Sequence, residues 1–160
     1  MAFLIDGSNF IGHISPYDLR DPRGKYSLVG RLIAFQRVNQ TKILLVFDGP
    51  PDTELENIHT HFKKIKIFFP SPGQKADHII KDILSKWKNK RQFFIVSSDR
   101  ELKDFARTLG FKVLTCQEFN KELKKTLKEY KKIQELQKED TPLSPLEIDL
   151  WGGIFKGDHE

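Results

Sequence analysis

Five short apolar runs punctuate the chain: Ala2–Ile5, Ile43–Phe47, Ile65–Phe69, Phe93–Val96 and Lys112–Leu114. Runs this short that scarcely alternate with polar residues read as strands buried on both faces. Between them the apolar positions recur at helical spacing. Leu28, Val29, Leu32, Ile33 and Phe35 define one face, and Glu54–Phe62 makes a weaker, shorter pattern. Ile79, Ile80, Ile83, Leu84 and Trp87 form a clear stripe, as do Leu102, Phe105, Ala106 and Leu109, with Gly110 as the stop signal. Strand–helix alternation predicts a parallel sheet with helices on both faces, but periodicity does not give the strand order.

The last quarter changes character. Glu118–Glu139 is a charged helical pattern with Leu123, Leu127, Tyr130, Ile133 and Leu136 on one side. Thr115 and Glu118 fit a capping box at its start. The Leu stripe predicts either packing on the body or a protruding arm that meets RNA, a ribosome or a second copy. Thr141–Pro145 breaks the chain, and a tail with Leu146, Ile148, Leu150, Trp151, Ile154 and Phe155 carries enough apolar mass to pack back on the body. The 160 residues suit one domain, 1–160, and no low-complexity linker divides them.

Composition refines this picture in three ways. With 38% hydrophobic and 31% charged residues the chain reads as soluble and globular. No run nears the roughly 20 apolar residues of a membrane span, and the N-terminus shows no leader pattern. The single cysteine, Cys116, excludes an internal disulfide and a Cys-based zinc site, and fits a reducing cytoplasm. A net charge of +5 favours anionic partners such as nucleic acid, although a Lys-rich solvated surface produces the same total.

Candidate chemistry gathers at strand ends. Three runs finish in aspartate: Phe3-Leu-Ile-Asp6, Leu45-Val-Phe-Asp48 and Ile95-Val-Ser-Ser-Asp99. Ligands of open α/β sheets bind beyond the carboxyl ends of the strands. Each acid also has a structural explanation. Asp6-Gly-Ser-Asn and Asp48-Gly-Pro-Pro are good turns, and Ser98-Asp-Arg-Glu101 is a capping box. Asp77 lies in a first helical turn, at the border of the Ile79–Trp87 stripe. Parallel strands would bring these acids to one rim. Crowded carboxylates raise one another's pKa, and a hard divalent cation, Mg²⁺ or Mn²⁺, removes that cost. Such an ion activates water and offsets charge on a phosphate.

Other chemistries find no support. Asp6-Gly-Ser-Asn-Phe-Ile-Gly12 has the wrong glycine spacing for a dinucleotide fingerprint, and no Gly-Lys-Ser/Thr exists for a P-loop. A haloacid-dehalogenase-like phosphatase needs a second Asp where Ser8 stands. His59 and His61 fall on different faces, and His13, expected on the loop after the first strand, is the best placed of five histidines that form no convincing site. Cys116 reads as packing.

The sequences Leu4-Ile-Asp-Gly-Ser-Asn9, Val46-Phe-Asp-Gly49, Ala76-Asp-His-Ile79 and Val96-Ser-Ser-Asp99 occur in this order. In order and spacing the chain resembles the NYN (YacP-like) branch of the PIN-domain ribonucleases over about residues 1–120. The resemblance implies a PIN-like three-layer sandwich whose five-stranded parallel sheet has the order 3-2-1-4-5, followed by the charged helix and tail. It implies catalytic roles for Asp6, Asn9, Asp77 and Asp99, with Asp6, Asp77 and Asp99 as metal ligands for Mg²⁺ or Mn²⁺. Asn9 would orient a ligand or water, Ser98 would support the site, and Asp48 would be a neighbouring acid. Lys75 and His78 depart from the family pattern and make the rim less acidic.

The expected activity is metal-dependent endoribonuclease cleavage of RNA, single-stranded and on a ribosome as in related bacterial enzymes. Arg20, Arg23 and Lys25, expected in a polar loop, would guide the RNA backbone together with Lys75 and Arg100. Two rival readings stay open. One is a catalytically weak RNA- or ribosome-binding module, and the other is a small-molecule phosphohydrolase that uses the same acids.

Overall fold

A computed structural model describes residues 1–137, and the chain break at Thr141–Pro145 and the Trp151 tail lie outside them. The described residues alternate β1 (Ala2–Asp6), α1 (Gly7–Ile14), α2 (Pro22–Asn39), β2 (Lys42–Val46), α3 (Thr53–Glu56), β3 (Ile65–Phe68), α4 (Ala76–Lys86), β4 (Phe93–Val96), α5 (Arg100–Thr108), β5 (Lys112–Leu114) and α6 (Cys116–Gln137). Single 3₁₀ turns at Ile58–Thr60 and Lys90–Gln92 complete the list. The five strands form one sheet in the order β3-β2-β1-β4-β5. All neighbours are parallel, so every carboxyl end reaches the same rim. No helix among the described residues is long and apolar enough to cross a membrane.

The pleat divides the apolar runs between two cores. Phe3 and Ile5 of β1, with Ile43 and Leu45 of β2, face Leu28, Leu32, Phe35, Phe119 and Leu123. Leu4, Leu44, Val46 and Ile95 face Ile80, Leu84, Leu102 and Ala106. Helices α1, α2 and α6 therefore cover one side of the sheet, and α4 and α5 cover the other. Because both faces are covered, the inner strands β1, β2 and β4 need apolar runs, whereas the edge strands β3 and β5 carry exposed Lys66 and Lys112. Phe3, Phe10, Phe35 and Phe119 meet through ring contacts of 5.3–6.1 Å, which places the Phe-rich composition in the first core.

The segment after β1 differs from the expected turn and loop. Asp6-Gly-Ser-Asn runs straight into α1, and His13 sits in that helix. Arg23 and Lys25 belong to the first turns of α2, begun by Pro22 and capped by Asp21, whose side chain accepts from the Arg23 N–H. Only Arg20 remains in a connecting loop. Glu54–Phe62 is likewise two short pieces, α3 and a 3₁₀ turn, rather than one helix.

Gly7 explains how the chain turns so abruptly. A Cβ there would lie 2.6 Å from Cε1 of Phe47 and 3.0 Å from Cδ1 of Leu45. The helix starts flush against β2 only because position 7 has no side chain. At the far end of α5, Gly110 adopts φ 90°, the left-handed conformation expected of a helix stop.

Helix α6 divides its Leu stripe between the body and solvent. Phe119, Leu123, Leu127 and Tyr130 are buried, against α1 and α2, whereas Ile133 and Leu136 are exposed. The capping box forms as predicted: the Thr115 N–H donates to Glu118 Oε1 (3.0 Å) and the Glu118 N–H to Thr115 Oγ1 (3.1 Å).

Gly7→Ala should destabilise the chain by about 1–3 kcal/mol, the usual range for overpacking a tight site. Urea denaturation measures it, and a change below about 0.5 kcal/mol would show that α1 has room to move.

Candidate active site at the strand-end rim

Asp6, Asp48, Asp77 and Asp99 line one open cleft of about 370 Å³, together with Ser8, Asn9, Lys75 and Glu101. Each acid arrives on a different element. Asp6 ends β1, Asp48 follows β2, Asp77 stands in the first turn of α4, and Asp99 begins α5. The strand order brings them together, because β1 lies between β2 and β4.

Asp6 is the buried member, 6% exposed. Burial pushes its carboxyl up to about 6, and the nearby charges of Asp48 and Asp99 add to the effect. The Asn9 N–H and the Ser97 hydroxyl oppose it in part. The Ser97 hydroxyl donates to Asp6 Oδ2 at 3.2 Å. Strand register explains this contact. Ile5 pairs with Val96, so one further residue sets Ser97 against Asp6.

Asn9 works as a clamp. Its Oδ1 accepts from the Ser98 N–H at 2.8 Å and the Cys116 thiol at 3.3 Å, with the Ser97 hydroxyl a longer donor at 3.4 Å. A backbone N–H can only donate, so the facing atom is the amide oxygen, which leaves the NH₂ for another acceptor. Asn9 thereby ties α1 to the end of β4 and the start of α6. Burial pushes the Cys116 thiol up, in keeping with a packing role. The Ser98 hydroxyl turns to α6. It accepts from the Cys116 N–H (3.0 Å) and donates to Gln117 Oε1 (3.2 Å).

Two of the acids hold helix starts. Asp48 Oδ1 accepts from the Ala76 N–H at 2.8 Å, while its own N–H donates to Ser8 Oγ at 2.9 Å. It caps α4 from across the rim, where Lys75, the residue in the cap position, provides no side-chain bond. Asp99, rather than Ser98, caps α5. Its Oδ1 accepts from the Leu102 N–H at 3.0 Å, and its N–H donates to Ser97 Oγ at 3.1 Å.

Asp77 is different. Its Oδ1 is buried without a hydrogen-bond partner, one of two such side-chain atoms among the described residues. An orphaned carboxylate oxygen beside a cleft costs free energy unless something absent from the bare chain meets it. A hard cation suits the all-oxygen donor set of Asp6, Asp77 and Asp99. Among the described residues, no three His, Cys, Asp or Glu side chains form a ready-made metal cage as they stand. The donors fit such an ion by chemistry and by location around one cleft.

Of the five basic candidates, Lys75 lines the cleft and Arg20, Arg23, Lys25 and Arg100 do not. Arg23 is bound to Asp21, with contacts of 2.6–3.1 Å, and lies over the Tyr17 ring. Lys25 lies between the rings of Phe47 and Phe69, 5.7 Å from each centroid. Residues that sequence reasoning missed are Ser97 and Leu19. The strand register would have indicated Ser97. No pattern announced Leu19, an exposed apolar side chain on the lip of the cleft.

A model of the YacP-like NYN domain matches residues 3–150. The chain belongs to the YacP-like NYN family. Its fold is similar to crystal structures of Rae1 (YacP) from Bacillus subtilis. The W164L mutant matches at a TM-score of 0.67 and 15% identity, over 99% of this chain and 98% of the other. A second Rae1 structure gives 0.66 and 17%, over 99% and 92%. No curated protein sequence matches the chain. The sheet order and the parallel α/β architecture of this YacP-like chain are those implied by its motifs.

The raised Asp6 carboxyl makes a pH prediction. Between about pH 4 and pH 6 the folded chain holds a proton that the unfolded chain has released. Stability therefore falls as pH rises through that window, by on the order of 3 kcal/mol, and stays lower above it. In chelator at pH 7.5, Asp6→Asn should be more stable than the parent by about 1–3 kcal/mol, an advantage that vanishes near pH 4. Urea denaturation at both pH values measures it. A less stable variant at pH 7.5 would contradict the burial argument.

Proposed function

We propose that this chain is a metal-dependent endoribonuclease that hydrolyses RNA phosphodiester bonds. The observation that carries the reading is the convergence of Asp6, Asp77 and Asp99 on one cleft, with Asp6 buried and an Asp77 oxygen unpartnered. Membership of the YacP-like NYN family supports a nuclease-like, RNA-related function. The basic composition suits a polyanionic substrate.

Asp6, Asp77 and Asp99 would hold Mg²⁺ or Mn²⁺. Such an ion, when bound, lowers the pKa of water and offsets negative charge on a phosphoryl group. The remaining tasks fall to the chain. Ser97 and the Asn9 backbone hold the Asp6 carboxylate in place. Asp48 and Asp99 fix the starts of α4 and α5, and so the positions of Asp77 and Asp99 themselves. Lys75 stands at the cleft as a cation for a phosphate oxygen. Water oxygen joins phosphorus, the P–O3′ bond breaks, and the products carry a 5′-phosphate and a 3′-hydroxyl. The cleft is open, which favours single-stranded RNA whose bases can splay.

One observation favours the binding-module reading. Asp48 and Asp99 already cap helices, and the carboxylates do not stand as a finished metal cage among the described residues. A single assay separates the two. Incubated with a single-stranded RNA and Mn²⁺, the chain should cleave, and Asp6→Asn or Asp77→Asn should lose roughly 10²-fold or more of the rate. RNA binding without cleavage would select the binding module. Equal cleavage by the parent and both variants would overturn the assignment of the site.

A further inference from the structure

The two poles of the sheet differ in charge. The segments that leave strands, 6–9, 47–52, 69–75 and 97–99, carry Asp6, Asp48, Asp52 and Asp99 with one cation, Lys75. The segments that enter strands are the reverse. Lys42 begins β2, Lys63 and Lys64 precede β3, Lys88, Lys90 and Arg91 precede β4, and Lys112 begins β5. Segments 40–42, 61–64, 87–92 and 109–112 contain no Asp or Glu. All strands are parallel, so these cations share the pole opposite the acidic cleft. With strands about 4.8 Å apart, the five strand starts make a row of about 19 Å.

These side chains keep their charge available. All of them are exposed. The ion pairs among the described residues involve none of them. Lys90 Nζ donates to the Leu109 carbonyl (2.7 Å) and Lys64 Nζ to the Gln40 side-chain amide (3.4 Å), both neutral acceptors. Lys42 lies over Trp87, Lys112 over Phe94 and Lys90 over Phe111, each 5.4–5.5 Å from the ring centroid. A ring orients an ammonium group without neutralising it.

The chemistry of the row selects the partner. A protein interface has an apolar, aromatic-rich centre. Among the described residues the exposed large apolar side chains are Met1, Leu19, Ile133 and Leu136, and of these Met1 adjoins the strand starts. Met1, before the central strand, is a single apolar side chain among seven exposed cations, and a row so dominated by charge matches a regular line of phosphates, which is bound by charge and without regard to base sequence.

We propose that the strand-entry pole binds the phosphodiester backbone of duplex RNA, at a surface separate from the acidic cleft. The choice of RNA rests on the proposed function, whereas the binding itself does not depend on cleavage. The test uses the full chain in chelator, so no metal-dependent cleavage intervenes. Fluorescence anisotropy follows its binding to a labelled RNA duplex over a range of salt. A K42Q/K88Q/R91Q/K112Q variant should bind at least about 10-fold more weakly, and its slope of log K against log salt should fall by roughly one per lost phosphate contact. A K42R/K88R/K112R variant, which keeps every charge, should bind like the parent. Unchanged affinity and slope in the glutamine variant would overturn the proposal. Displacement of the duplex by polyglutamate as readily as by unlabelled duplex would overturn it in favour of an acidic protein partner. Duplex binding that behaves as expected here, together with no cleavage in the separate Mn²⁺ assay, would support this proposal and fault the nuclease reading alone.

Discussion

The central position of β1 governs the arrangement. It is paired with β2 on one edge and β4 on the other, and both of its faces are covered by helices. Its last residue, Asp6, therefore sits at the rim and out of water at once. A carboxylate in that position carries a desolvation cost, visible as the upward shift of its carboxyl to about 6. The surrounding polar groups are best understood as answers to that cost. Ser97 reaches Asp6 because β4 is the neighbouring strand, and Asn9 reaches Ser98 because α1 starts without an intervening loop. That immediate start depends in turn on Gly7 lying against Phe47.

Capping and site formation are joined. Asp48 crosses the rim to hold the first amide of α4, which sets the helix turn that carries Asp77. Asp99 holds the start of α5 while its own amide binds the serine that steadies Asp6. Removing one of these acids would therefore disturb two things, a helix terminus and the cleft. The structural explanations for aspartates at turns and caps do not compete with a functional role here. For Asp48 and Asp99 the cap is the device that positions the acid. Asp77 has no such bond on Oδ1, and that unpartnered oxygen is the observation on which the proposed ligand set leans.

The inner strands and the main helices were legible because burial on both sheet faces demands apolar runs in the strands and clean stripes on the helices that cover them. Ala2–Ile5 and Ile79–Trp87 are examples, and the Thr115–Glu118 box marked the start of α6 by its hydrogen bonds alone. Strand order came from the resemblance of four short motifs, since periodicity does not encode which strands pair. What escaped was decided by tertiary contact. Gly7-Ser-Asn9 has poor helix propensity and reads as a turn, yet it is helical because α1 packs against β2 and α6. Arg23 and Lys25 looked like free loop cations, but Pro22 and Asp21 start a helix there, and Tyr17, Phe47 and Phe69 engage both side chains. Ser97 was hidden beside Ser98, because only the register of β1 against β4 tells which serine faces Asp6.

The same parallel topology that gathers the acids at one pole gathers lysines at the other, so the sheet separates charge along its strand direction. At the acidic pole the account depends on Asp6, Asp77 and Asp99 acting as a single ligand set. Anomalous diffraction from a crystal of this chain soaked in Mn²⁺ tests that most directly. The account predicts a peak in contact with Asp6, Asp77 and Asp99. A well-ordered cleft without a peak, or a peak elsewhere that leaves Asp77 Oδ1 unpartnered, would contradict it.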